Sequence, residues 1–221
     1  MKNYKIICAT QKNSDDFKKE SQLSLSIDKL GIENNSIICY ENKIGLPKLY
    51  NSFITEEFKN NYLLFIHDDV LIEDLFFDEK ISLAFDKYDI IGLAGSKKCN
   101  LASHVTAWHM MCERKDMVGE VSHSKDKIYW TTVFGSTDSR ALVIDGLFIG
   151  VDVNKLLETN TRFDESFDFH HYDISFCLNA NKNRLKIGVY PLKVTHFGLG
   201  DSMMSDGWKK SAEIFKNKYC N

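Results

Sequence analysis

The sequence predicts an α/β fold, a mostly parallel central sheet with helices on both faces. Three observations carry that expectation. Short apolar runs alternate with longer amphipathic stretches in the first third of the chain. Polar residues gather where the apolar runs stop. No proline- or serine-rich linker, repeat or low-complexity segment divides the 221 residues. Strands separated by helices pair in parallel through right-handed crossovers, and such sheets bind ligands at the carboxyl ends of their strands.

Residues 4–9 are short, isoleucine-rich and apolar, and read as a buried strand followed by a polar loop at 10–14. Residues 15–30 set Phe17, Leu23, Leu25, Ile27 and Leu30 among charges, a helix closed by Gly31. A second strand is expected at 36–40. A second helix follows at 46–58, with Pro47 in its first turn, where a missing N–H costs nothing. The third strand, 62–66, runs straight into His67-Asp68-Asp69, and a fourth spans 90–94 before Gly95 and Ser96. Residues 97–139 lack a helical period and read as a long loop or an irregular hairpin; structureless loops of that length are rare unless functional. Residues 141–151 form an apolar strand interrupted by Asp145-Gly146, 173–182 a helix, and 185–194 a last strand containing one proline. The reading is one domain over 1–221.

Composition excludes several classes. A net charge of −3 gives no bulk attraction to nucleic acid or anionic lipid. Residues 209–218 are locally basic; this is either a solvated helix face or a point of peripheral membrane contact. No apolar run reaches the length of a signal peptide core or a membrane span, so the expected location is the cytoplasm. Six widely spaced cysteines with no Cys-x-x-Cys pair argue against a zinc site, a redox motif or a disulfide framework.

Three motifs carry chemistry. In YLLFIHDDVLI, adjacent carboxylates end a hydrophobic strand. Paired acids repel unless solvent or a cation is present, and Mg²⁺ or Mn²⁺ commonly bridges protein carboxylates to a diphosphate; the plain alternative is a solvated strand end. FDESFDFHHYDISF is dense in acids and histidines and leads into a helix. That suits a general base or a metal, or simply a capped helix start. In VTHFGLGDS a histidine ends the last strand before two glycines, as a ligand or as an ordinary structural residue.

Taken in order, GLPKLYNSF, YLLFIHDDVLI, IIGLAGS, the Trp108 region, ALVIDGLFIG, FDESFDFHHYDISF and VTHFGLG resemble the family 2-like GT-A glycosyltransferases over nearly the whole chain. The resemblance is nearest to the small subgroup named after a streptomycin-biosynthesis protein. It implies a GT-A, Rossmann-like sheet, with about 1–96 as the nucleotide-binding half and about 97–221 as the acceptor half. It implies an enzyme of hexosyltransferase type, with roles in polysaccharide biosynthesis, a nucleotide-diphosphate sugar as donor, and a glycan or small-molecule hydroxyl as acceptor.

Residue by residue, His67-Asp68-Asp69 matches the family's Asp-x-Asp motif, with His67 in place of the first acid. Asp69 becomes a ligand of Mn²⁺ or Mg²⁺ and His196 a second one. His67 and Asp68 fall at the donor. Thr10, Gln11 and Glu41 match residues that hold the nucleoside. Asn51 matches the second member of an Arg-Asn pair whose arginine is Tyr50 here, leaving Lys48 to supply the charge. Asp173 matches the catalytic base, preceded by Tyr172 where the family usually has glutamate. Asp145, His170, His171 and Trp108 fall on the sugar and acceptor side; Trp108 and Trp130 offer ring faces to a sugar or pack in the core. The helix start is expected to keep Asp173 ionised at neutral pH.

Two other readings compete. A metal-dependent nucleotidyltransferase also uses strand-end acids, but CATQKNSDD lacks the glycine-rich loop that class needs. A degenerate module that binds sugar nucleotides or glycans without catalysis accounts for His67 and the missing arginine.

Overall fold

The computed structural model describes residues 3–103, 105–198 and 205–220. Leu199 and Gly200 of the VTHFGLG motif lie outside them. The first apolar run is β1 (Asn3–Ala9). The helix expected at 15–30 is two, α1 (Ser14–Glu20) and α2 (Gln22–Leu30). Ser21 breaks it: extended, it caps α2 through Ser24 N–H and donates its hydroxyl to the Asp68 carbonyl at 2.6 Å. Next come β2 (Ser36–Cys39) and α3 (Leu46–Phe53), which ends five residues earlier than expected. The carbonyls near its end are taken by a tight turn, with Ile54 N–H donating to Asn51 O.

Then follow β3 (Asn61–Ile66), β4 (Val70–Ile72) and α4 (Phe77–Phe85), the last not foreseen. They lead to β5 (Ile90–Gly92) and β6 (Ala94–Ser96). The long segment 97–139 is part loop and part hairpin, with β7 (Met117–Lys125) and β8 (Ile128–Val133) ahead of the short β9 (Ser139–Arg140). The remainder is β10 (Val143–Ile144), β11 (Phe148–Asp152), α5 (Val153–Glu158), α6 (Tyr172–Lys182), β12 (Ile187–Val189), β13 (Val194–His196) and α7 (Asp206–Tyr219).

Two sheets result. The larger runs β2-β1-β3-β11-β5-β12-β9 and the smaller β10-β6-β7-β13-β4, with β8 on β7. The large sheet is mixed rather than mostly parallel. β1 pairs in parallel with β2 and β3, but β11 lies antiparallel between β3 and β5.

Each of the long strands expected at 90–94, 141–151 and 185–194 is two strands, one in each sheet. β3 and β4 divide the same way. The breaks fall at Leu93, at Asp145–Leu147, around Pro191, and at His67-Asp68-Asp69. A ladder is interrupted where a strand changes sheet, so polar residues and a proline are tolerated there. Behind this seam lies the core: Leu63, Leu64, Phe65 and Ile66 of β3 are fully buried, and Tyr50 stacks on Phe65 at 4.2 Å. Among the described residues no helix is long and apolar enough to cross a membrane, and the cysteines are unpaired. The basic residues Lys209, Lys210, Lys216 and Lys218 are on the exposed side of α7, whose Ala212 and Phe215 are buried.

Candidate active site

The tips of β1, β2 and β3 meet, as the parallel register requires. Thr10 donates to Asp68 Oδ2 at 2.6 Å, and Lys12 Nζ stands 3.5 Å from the same oxygen. Glu41 takes a left-handed backbone (φ 48°) and is fixed by its N–H to the Lys12 carbonyl. Non-glycine residues hold that conformation only where their surroundings enforce it. Thr10, Lys12, Glu41 and Asp68 therefore form one polar cluster.

The next residue points elsewhere. Asp69 Oδ2 lies 3.2 Å from His196 Nε2 across the antiparallel pairing of β4 with β13, while its Oδ1 is buried with no hydrogen-bond partner among the described residues. Burial pushes the Asp69 carboxyl up, but the hydrogen bond and charge of His196 outweigh it and hold it below the carboxylate range. Burial likewise pushes His196 down, and Asp69 more than restores it, so the imidazole lies above its ordinary value. A Cβ on Gly198 would collide with both groups. Among the described residues no set of three or more His, Cys, Asp or Glu side chains is arranged to hold a metal. Asp69 and His196 supply two donors, and the unpartnered oxygen gives them capacity for an ion. Mg²⁺ and Mn²⁺ sites often take one or two protein ligands and complete the shell with water and phosphate, so the pair fits such an ion.

Beyond them opens a cleft of ≈ 640 Å³. Of the chain's 7 histidines, six line it (67, 109, 123, 170, 171 and 196); the remaining one, His104, is outside the described residues. Asp145 sits at the seam. Its Oδ2 accepts the Trp108 indole N–H at 2.6 Å and its Oδ1 the Leu147 N–H at 3.0 Å. Gly146 is required by close approach: a Cβ there would lie 2.5 Å from the Tyr172 hydroxyl. That hydroxyl donates to the Gly146 carbonyl at 2.7 Å and lies 3.1 Å from His67 Nε2. A phenol has one proton to give, so His67 Nε2 is the donor in the second bond. Burial lowers the His67 pKa.

Asp173 opens α6 in the same cleft. Its Oδ1 accepts the Ile174 N–H at 2.9 Å. The expectation that the helix start keeps it ionised does not hold. Burial is the larger influence, the charge of Asp145 adds to it, and together they outweigh the backbone donors and raise Asp173 to about 7. His171 is buried with φ 62° and both nitrogens engaged. Ser211 gives its own proton to the His170 carbonyl, so it accepts from His171 Nδ1, and Thr106 donates to Nε2. Burial drops its pKa to about 4. His171 therefore ties α7 to the 97–112 segment and offers no free nitrogen to a sugar, unlike His170, which lines the cleft without such ties.

Trp108 takes the second of its two expected places: it is 7% exposed and edge-on to Phe134, so it packs in the core and orients Asp145 through its N–H. Asn51 bonds the Phe163 backbone at both ends of its amide, and Glu165 besides, which ties α3 to the segment before α6. Gln11 and Lys48 are exposed, and it is Lys12 that brings a cation to the strand tips. Lys12 and His123 were missed, whereas Trp130, read from the sequence as a ring face for a sugar or a core residue, lines the cleft. For Lys12 the signal was its place two residues past the Thr10 position. His123 had none, because the hairpin that carries it shows no clear period.

Residues 11–219 match the sequence profile of the family described as glycosyltransferase like. No curated protein matches the chain in sequence. Among solved structures, A197 from STIV shares the fold with a TM-score of 0.50 at 16% identity, over 89% of this chain and 86% of its own. TarS 1–349 from S. aureus, solved in complex with UDP, gives 0.53 at 13% identity, over 89% of this chain and 60% of its own. At such identities the likeness is one of fold.

Proposed function

We propose, since this chain belongs to the glycosyltransferase like family, that its cleft moves a sugar from a nucleoside diphosphate to an acceptor hydroxyl with inversion, aided by Mn²⁺ or Mg²⁺. The chain is a glycosyl-transferring enzyme of GT-A fold; the donor, the metal and the stereochemistry are the proposal. The observation that carries it is Asp69 Oδ1, buried and without a hydrogen-bond partner among the described residues, beside His196, which lines the same cleft as Asp173.

In this reading residues of about 1–96 hold the nucleotide, with Thr10, Gln11, Glu41 and Asp68 near the nucleoside and Lys12 or Lys48 near its charge. The UDP in the TarS structure favours a uridine nucleotide. Residues of about 97–221 hold the acceptor. We also place the chain in the streptomycin-type subgroup, at work on polysaccharide in the cytoplasm.

Asp69 and His196 would hold the metal. A bound divalent ion would offset the negative charge gathering on the leaving diphosphate. Asp173 takes the proton of the acceptor hydroxyl as that oxygen attacks the anomeric carbon from the face opposite the diphosphate. A base is most effective with its pKa near the working pH, and burial sets Asp173 there. Asp145, held by Trp108 and Leu147, keeps a fixed negative charge near the base.

Incubation with UDP-sugars and Mn²⁺, with release of UDP as readout, tests the reading. Release that disappears in Asp173→Asn supports it. Tight UDP binding with neither transfer nor donor hydrolysis would instead mark a binding module.

A further inference from the structure

We infer that the acceptor is an uncharged glycan whose sugar ring stacks on Trp130. The inference rests on the transferase reading above and names its acceptor class.

The geometry comes from one rung of the smaller sheet. His196 of β13 is in register with His123 of β7, and His123 with Trp130 of β8. Residues in register project from the same face, and all three line the cleft. The Trp130 indole stacks on the His123 imidazole at 5.4 Å between centroids, and His123 meets His196 at 5.9 Å. Two strand spacings of about 4.8 Å put the Trp130 position about 10 Å from that of His196. The platform therefore stands beside the place of the leaving group, not on it. Trp130 is 41% exposed although it is a large apolar ring backed by another ring, and Phe169, at another part of the cleft wall, is 50% exposed. Such half-open aromatic faces suit the C–H face of a pyranose. Buried Trp108 does not.

Charge sets the class. Among the described residues no lysine or arginine lines this cleft, and its acids are Asp145 and Asp173. Apart from His196, which is paired with Asp69, an anionic sugar would meet these two carboxylates and no lysine or arginine of the described residues. Burial also lowers the His170 and His171 pKa values, which keeps those rings neutral. The contrast lies within the molecule: a second cavity of ≈ 510 Å³ is lined by Arg162, Lys182 and Lys218. The cleft that holds Asp173 carries aromatics in place of such cations.

Calorimetric titration in the presence of UDP and Mn²⁺ tests this. The neutral probes are methyl glucoside, methyl galactoside and cellobiose; the anionic ones are glucuronic acid and glucose 6-phosphate. The expected result is saturable binding of a neutral probe, with the anionic probes weaker by at least tenfold. Trp130→Ala weakens the neutral probe by tenfold or more and Trp130→Phe by less than threefold; the phenylalanine variant keeps the test informative should the alanine variant not fold. Anionic probes that bind as tightly as neutral ones, unchanged binding in Trp130→Ala, or no binding of any neutral probe would each overturn the inference. UDP titrated into the parent protein separates the two readings. UDP binding without the sugar pattern removes this inference alone, whereas absence of UDP binding removes the transferase reading beneath it.

Discussion

His67 and Tyr172 are hydrogen-bonded to each other at 3.1 Å. They occupy the two positions at which the sequence departs from the acidic residues of the family it resembles, one in the strand-end triplet and one before the base. Two acids in contact at this depth would repel; an imidazole and a phenol satisfy each other and pass the bond on to the Gly146 carbonyl. The two side chains thus meet in one hydrogen bond on the cleft floor. Tyr172→Phe leaves the His67 N–H and the Gly146 carbonyl without this partner, and a buried group left unpaired costs about 1–3 kcal/mol. Urea unfolding is expected to show that loss. Unaltered stability would mean that water replaces the phenol.

The protonation of Asp173 couples activity to stability. Its folded pKa is raised from 3.8 to about 7, so the folded chain binds that proton more tightly than the unfolded chain. Between those two values the unfolded state is the one short of a proton, and stability falls as pH rises through the window. Transfer, which needs the carboxylate, rises over its upper end. Asp173→Asn removes both effects. It is expected to melt higher than the parent at pH 8 with little difference near pH 4, and to transfer on the order of a hundredfold more slowly. A melting temperature lowered at pH 8, together with parental transfer, would leave Asp173 as a helix cap only.

Metal removal addresses Asp69 and His196. Chelation with EDTA is expected to weaken UDP binding in the parent protein and to do nothing further in Asp69→Asn, because the carboxylate that completes the site is then gone. Calorimetry with and without Mn²⁺ reads this directly. Equal dependence on Mn²⁺ in parent and variant would move the metal away from Asp69.

Trp108 acts through Asp145. Trp108→Phe keeps a ring in the core but deletes the donor 2.6 Å from Asp145 Oδ2. The half-buried carboxylate then turns more freely. A loss of about 1–2 kcal/mol is expected in stability, with transfer slowed about tenfold if a similar energy is lost from the transition state. Measuring kcat and KM separately distinguishes the cases: a fall in kcat at constant acceptor KM fits an orienting role, and a rise in acceptor KM alone would make Trp108 a contact of the sugar.

Much of this site was legible because its signals are local. A run of apolar residues that halts at His67-Asp68-Asp69 requires a buried strand with acids at its tip, whatever surrounds it. Thr10, Glu41 and Asp68 converge because β1, β2 and β3 pair in parallel, a consequence of the helices between them. The start of α6 could be placed to within a residue.

What the sequence did not decide depends on partners distant along the chain. Periodicity marks an apolar run as strand but not which sheet each half joins, so 90–94, 141–151 and 185–194 read as single strands and the seam that holds Asp69 and Asp145 stayed hidden. Asn51 was given to the donor, and Trp108 left between the sugar and the core, because a sequence does not reveal that Phe163 and Asp145 already take their polar atoms. The ionisation of Asp173 went the same way. The helix start that favours its charge is local and could be read; the burial and the Asp145 charge that oppose it are products of packing. Sequence alone therefore determined which residue types stand at the strand ends, while the tertiary structure decided which of them are free, which are paired and which hold a proton, because desolvation and charge act through space and not along the chain.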